Sequence, residues 1–219
     1  MPPTHPDYSR RYTLAEYFAL EEVSDVRHEY YKGEIFPLDG PLSVEGRQGR
    51  SKRHNTLVGN LRRELENTLI ARDQLATCRV YTENVRVAVN QGEYYTYPDL
   101  LATCEPSDIE EADALTVHHP SLIIEVLSAG TAERGWGWKM EQYLTLPSLR
   151  QYVMVEQRWP TVHSYVRSPN NAWHSELLRD LSAELILAPF DLRLPLAAIY
   201  RFLDFPPLKL WPDGPPPAG

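Results

Sequence analysis

A chain of 219 residues and 25.2 kDa suits one domain, or one domain with a small appendage. Its 42% hydrophobic content supports a sizeable core and, with 24% charged residues, excludes global disorder. No apolar run approaches the ~20 residues of a membrane span, and the net charge of −8 argues against general attraction to polyanions.

Residues 1–11, with three prolines, read as a flexible polar start. Thr13-Leu14-Ala15-Glu16 is a capping-box pattern that opens a helix to about residue 23, with Leu14, Tyr17 and Phe18 on one face. Residues 27–38 read as a hairpin turning at Lys32-Gly33. The glycines and prolines of 37–49 predict a mobile loop. Leu57, Leu61, Leu65 and Leu69 recur every four residues and predict a helix over about 52–72. Arg47, Arg50, Lys52, Arg53, Arg62 and Arg63 fall here with no acid between Glu45 and Glu64, a local basic surface or simply a solvated face.

Alternation predicts a strand over 78–89, a turn at Asn90-Gln91-Gly92 and a strand over 94–103, followed by acidic, irregular residues to 119. The uniformly apolar 121–127 reads as a central strand, and a helix over about 131–146 follows. Strands are expected at 151–156 and 161–166, with weaker ones near 173–178 and 184–187, then a short helix at 195–202. Residues 206–219 hold six of the 19 prolines and read as an extended tail, leaving 12–205 as a single domain. The order predicts a mixed α/β fold with a central sheet flanked by helices. Cys78 and Cys104 make no metal-ligand spacing with the histidines and are expected as reduced thiols in a cytoplasmic protein with no signal peptide.

Two acids sit inside apolar strand-like runs: Asp99 in Tyr97-Pro98-Asp99-Leu100 and Glu125 in Ile124-Glu125-Val126-Leu127. A carboxylate among core residues must be paired or metal-bound. If their strands are neighbours, the two can converge on one hard cation such as Mg²⁺, with the Val126 carbonyl as a further oxygen. Lys139 comes from the next helix, and Tyr143 shares its face four residues on. Two acids and a lysine are the parts of a phosphodiester-cleaving site; the alternative is two structural acids, one capping a turn and one in an ion pair with Lys139.

These pieces resemble the Uma-two family of restriction-endonuclease-like proteins, within the PD-(D/E)XK nuclease superfamily. The resemblance runs from about Tyr12 to Phe205. It is carried by Thr13-Leu14-Ala15-Glu16-Tyr17, Arg27-His28-Glu29-Tyr30, Gly33-Glu34-Ile35, His54-Asn55, Tyr97-Pro98-Asp99-Leu100, Glu125-Val126-Leu127-Ser128, Thr131, Lys139, Tyr143, Leu149-Arg150-Gln151-Tyr152-Val153 and Ile199-Tyr200, in that order. It implies a restriction-endonuclease-like fold and a metal-dependent endonuclease acting on DNA. Asp99 and Glu125 would be the Mg²⁺ or Mn²⁺ ligands, and Lys139 would serve the attacking water. The superfamily's usual lysine position is Leu127 here, so the lysine comes from the following helix. Glu29 matches an early acid that binds the ion directly or through water, or else packs in the hairpin. His54 matches a recurrent histidine that positions a phosphate or serves the helix start, while Arg53, Arg62 and Arg63 would guide phosphates.

Gly135 stands where the family commonly has an Asp before the lysine, with Glu133 two residues earlier. That departure, the net charge and the tail keep an alternative open, a catalytically inactive nuclease-fold module that binds DNA or a protein. Trp136 and Trp138 would stack on bases or cover the open sheet end. Pairing into a homodimer is also expected, since nucleases that cut both strands often pair their sites.

Overall fold

Thr13 caps the first helix reciprocally: its side chain accepts from the Glu16 N–H, and the Glu16 carboxylate accepts from the Thr13 N–H. The structure, a computed structural model, describes residues 6–38, 51–127 and 136–205. The capped helix α1 (Leu14–Val23) leads into the hairpin of β1 (His28–Tyr31) and β2 (Glu34–Pro37). Its turn, Lys32-Gly33, has φ of 48° and 94°, the left-handed geometry that suits a two-residue hairpin and that glycine adopts readily. On α1, Tyr17 is buried, whereas Leu14 in the first turn is exposed.

Ser51 caps α2 (Lys52–Ala71), accepting from the His54 N–H. Leu57, Leu61, Leu65 and Leu69 form its fully buried stripe, each contributing about 1.5–3 kcal/mol by leaving water. The segment 78–89 is two strands rather than one. β3 (Arg79–Thr82) and β4 (Arg86–Val89) separate at Glu83, whose φ of 58° takes the chain out of the extended region. The segment 94–103 also divides. β5 (Tyr94–Thr96) and β6 (Leu100–Thr103) part at Tyr97-Pro98-Asp99, where Pro98 has no N–H to continue a ladder. The acidic stretch that follows contains a short helix, α3 (Pro106–Glu110), and β7 (Thr116–Val117).

β8 (Leu122–Leu127) is buried at every position, as its uniformly apolar sequence predicts. α4 (Trp136–Leu144), β9 (Gln151–Glu156), β10 (Thr161–Arg167) and β11 (Trp173–Arg179) follow. The chain closes with β12 (Glu184–Leu187), β13 (Leu192–Pro195) and α5 (Leu196–Ile199). β13 was not anticipated, and it shortens the expected last helix to one turn. The loop beyond residue 38 with Arg47 and Arg50, the 128–135 stretch with Glu133 and Gly135, the Trp136 side chain and the Pro-rich tail lie outside what is described.

β11-β10-β9-β8-β6-β3 form a six-stranded mixed sheet in which only the β8–β9 pair is parallel. A parallel pair needs a crossover, and α4 lies in it. β2-β1-β5-β4-β7 form a second sheet, and β12-β13 a third. Alternation along β8 divides the core: Leu122, Ile124 and Val126 pack with the leucines of α2, while Ile123 and Leu127 pack with Tyr143 of α4 and Tyr152 of β9. The mixed α/β architecture with flanking helices agrees with the fold class expected from sequence.

Cys78 and Cys104 are a disulfide, which corrects the expectation of reduced thiols. Arg79 pairs with Thr103 across β3 and β6, so the next pair outward is Cys78 with Cys104. That register brings together two residues 26 apart in sequence. Among the described residues no helix is long and apolar enough to cross a membrane.

Candidate active site

The break at Pro98 places Asp99 where the chain passes from one sheet to the other. Leu100 pairs with Ile124 across β6 and β8, and extending that ladder by one residue sets Asp99 opposite Glu125. Both are buried, at 3% and 8% exposure, so neither carboxylate relies on bulk water for its solvation. The Val126 N–H donates to Asp99 Oδ2 at 2.7 Å, and His54 Nε2 lies 3.1 Å from the same oxygen. His54 is in the first turn of α2, so the helix is joined to the sheet crossing at this acid. The positive end of the helix dipole there favours a carboxylate.

Glu125 projects to the α4 side of β8, the face of Ile123 and Leu127. Lys139 and Tyr143, one helical turn apart on α4, both reach its Oε1 at 2.9 Å. Lys139 Nζ also lies 2.9 Å from Glu29 Oε1 on β1. The ammonium therefore bridges two carboxylates from different sheets. Glu29 is held in turn by Thr96, which donates to Oε1 at 2.6 Å, and by Tyr94, which donates to Oε2 at 3.3 Å. Tyr30 pairs with Tyr95 across β1 and β5, so Thr96 is the cross-strand neighbour of Glu29. On α4 the exposed Trp138 packs edge-on against Tyr31 of β1 and Tyr94 of β5.

Burial by itself would lower the Lys139 pKa, but Glu125 and then Glu29 outweigh it and hold the ammonium well above the ordinary lysine value of 10.5. Burial first, and then the Glu125 charge, keeps the Tyr143 hydroxyl protonated well above its ordinary range, so it acts as a donor. Lys139 is thus a fixed positive charge with N–H donors, not a base at neutral pH.

The residues singled out in the sequence form two contact groups, Asp99 with His54 and Glu125 with Lys139 and Glu29, on strands whose register sets Asp99 opposite Glu125. Arg53 lies one residue from His54, but its guanidinium donates to the Gln157 and Asp204 carbonyls. Arg62 pairs with Glu66, and Arg63 donates to Asn60. Those two arginines sit about 12 Å further along α2 at 1.5 Å per residue. Sequence reasoning did not find Thr96 or Tyr94, whose role depends on the β1–β5 register. It also did not find the buried Glu21–His28 pair behind Glu29, where Glu21 Oε1 lies 2.8 Å from His28 Nδ1 and Tyr97 donates to the other oxygen.

By chemistry, two buried carboxylates on adjacent strands suit a hard divalent ion. By present geometry, no group of three or more His, Cys, Asp or Glu side chains among the described residues is placed to hold a metal. Glu29 and Glu125 already close on Lys139.

The family model described as "Uma2: Putative restriction endonuclease" matches residues 14–197. Among curated proteins, "Uncharacterized protein sll1609" of Synechocystis sp. is 30% identical over 172 residues, covering 78% of this chain and 88% of that protein. "Uncharacterized protein slr1290" of the same organism is 28% identical over 190 residues, covering 87% and 92%. Among solved structures, a crystal structure from Anabaena variabilis described as "a putative nuclease belonging to DUF820" superposes with a TM-score of 0.65 at 19% identity. That match covers 86% of this chain and 97% of the other, and it supports the fold alone.

Proposed function

The chain belongs to the Uma2 "Putative restriction endonuclease" family, and from that premise we propose a metal-dependent endonuclease that hydrolyses DNA phosphodiester bonds. The observation that carries this reading is the buried Glu125–Lys139 ion pair on the strand that also binds the buried Asp99 carboxylate through the Val126 N–H. Asp99 and Glu125, with the Val126 carbonyl, would hold Mg²⁺ or Mn²⁺. When bound, such an ion polarises a phosphoryl oxygen and lowers the pKa of a coordinated water. Lys139, kept protonated by its acids, orients the attacking water and offsets charge developing on the phosphoryl oxygens. Glu29 supports Lys139, and His54 fixes the Asp99 carboxylate. Arg53, Arg62 and Arg63 would steer the DNA backbone along α2 after exchanging their internal partners for phosphates. A homodimer would pair two such sites across a duplex. A cytoplasmic setting belongs to the same reading, although the Cys78–Cys104 disulfide weighs against it, because such bonds are rare in reducing compartments.

Mn²⁺ titration calorimetry on wild type and Glu125→Ala tests the metal site. Binding in wild type that disappears in the variant supports it, and binding unchanged by the substitution removes it.

A second reading, an inactive nuclease-fold module that binds DNA or a protein, is favoured by the internal engagement of Arg53, Arg62 and Arg63. A tight Mn²⁺ site that needs Glu125 would count directly against it.

A further inference from the structure

Lys139 does more in this geometry than stand beside a metal site. Its Nζ lies 2.9 Å from Glu29 Oε1 and 2.9 Å from Glu125 Oε1, a bridge between the two sheets. Only one-fifth of the lysine side chain is exposed, so its charge is weakly screened. An isolated carboxylate pair at this depth would repel, and the ammonium removes that repulsion. Tyr143 adds a hydrogen bond to the same Glu125 oxygen but brings no charge.

We propose that Lys139 is the resident cation of this carboxylate cluster, and that a divalent ion gains Glu125 only by displacing the ammonium from the Glu29–Glu125 bridge. The inference rests on the metal-dependent reading above and adds to it a regulation of metal entry. Lys139, Glu29 and Glu125 together carry a net charge of −1, which becomes −2 when the lysine is neutralised. Metal affinity is therefore held down by the lysine itself. In the absence of metal the bridge keeps β1 and β8 together, and the site stays closed to adventitious ions. Once displaced, the ammonium is available beside the cluster to meet a scissile phosphate. Occupancy by metal and readiness of the lysine are thereby coupled.

The test compares Mn²⁺ binding by calorimetry in wild type, Lys139→Met and Lys139→Arg, all checked for folding by circular dichroism. Removing a competing charge at hydrogen-bond distance is expected to tighten Mn²⁺ binding on the order of tenfold or more in Lys139→Met. Lys139→Arg keeps the charge and should stay near wild type. Mn²⁺ should also raise the melting temperature of Lys139→Met more than that of wild type. Equal or weaker binding in a folded Lys139→Met overturns the proposal while leaving the metal-site reading intact. No Mn²⁺ binding in any of the three overturns both.

If Lys139→Met does not fold, ¹⁵Nζ spectra of the wild-type lysines, Lys32, Lys52, Lys139 and Lys209, during Mg²⁺ titration give the answer. A Lys139 signal that shifts in step with Mg²⁺ binding supports displacement. A Lys139 signal unmoved by saturating Mg²⁺ overturns it.

Discussion

His54 Nε2 stands 3.1 Å from Asp99 Oδ2, with both side chains almost wholly buried, so the first turn of α2 and the sheet crossing meet at one carboxylate. Replacing the imidazole leaves a buried acid with one donor fewer. His54→Ala is expected to cost about 1–3 kcal/mol of stability and to weaken Mn²⁺ binding and cleavage together. Urea unfolding and Mn²⁺ calorimetry on the purified variant check this. Unchanged Mn²⁺ affinity would assign His54 to the helix start alone.

Tyr143 should behave differently. Its hydroxyl donates to Glu125 from a fully buried ring, so Tyr143→Phe removes one hydrogen bond and little volume. The expected loss is about 1.5–3 kcal/mol, the range for a hydrogen bond to a charged group. Cleavage should fall modestly, because Lys139 still holds the same oxygen. Denaturant titration beside a nicking assay separates the two effects.

Much of the frame was legible in the sequence because it rests on local periodicity. The leucine stripe of α2, the Thr13–Glu16 cap, the Lys32-Gly33 turn and the buried β8 need only short-range pattern. Asp99, Glu125 and Lys139 stood out because charges in apolar runs need partners. What was not legible depends on register between distant strands. Glu83 and Pro98 divide two alternating segments between sheets, and nothing local states which sheet receives each half. Thr96 and Tyr94 reach Glu29, and Cys78 reaches Cys104, only through pairings that close in three dimensions. β13 escaped notice because its last residue, Pro195, reads locally as the start of the helix that follows.

The disulfide gives a third prediction. It closes a loop between residues 26 apart, which constrains the unfolded chain. By loop entropy, Cys78→Ser with Cys104→Ser should cost about 3 kcal/mol. The melting temperature should fall to the same extent on adding dithiothreitol to wild type. A melting temperature insensitive to both would show that the bond adds nothing to stability.

Stability should respond to alkali in a defined direction. Lys139 and the buried tyrosines Tyr143, Tyr152, Tyr94 and Tyr17 all have pKa values raised above their ordinary 10.5 and 10.0. Burial opposes the shift for lysine and drives it for the tyrosines. A raised native pKa means that the unfolded chain loses its proton first. Their stabilisation is therefore complete below about pH 10 and is lost as pH rises above it. Denaturant midpoints should be insensitive to these groups from pH 7 to about 9 and should fall steeply beyond pH 10. A steep fall already between pH 8 and 9 would contradict the assignment.

The most direct measurement is cleavage of supercoiled plasmid DNA in Mn²⁺ by wild type and by the Asp99→Ala, Glu125→Ala double variant. The reading predicts nicking or linearisation by wild type that chelation stops and that the double variant lacks. Undiminished cleavage by the double variant would contradict it.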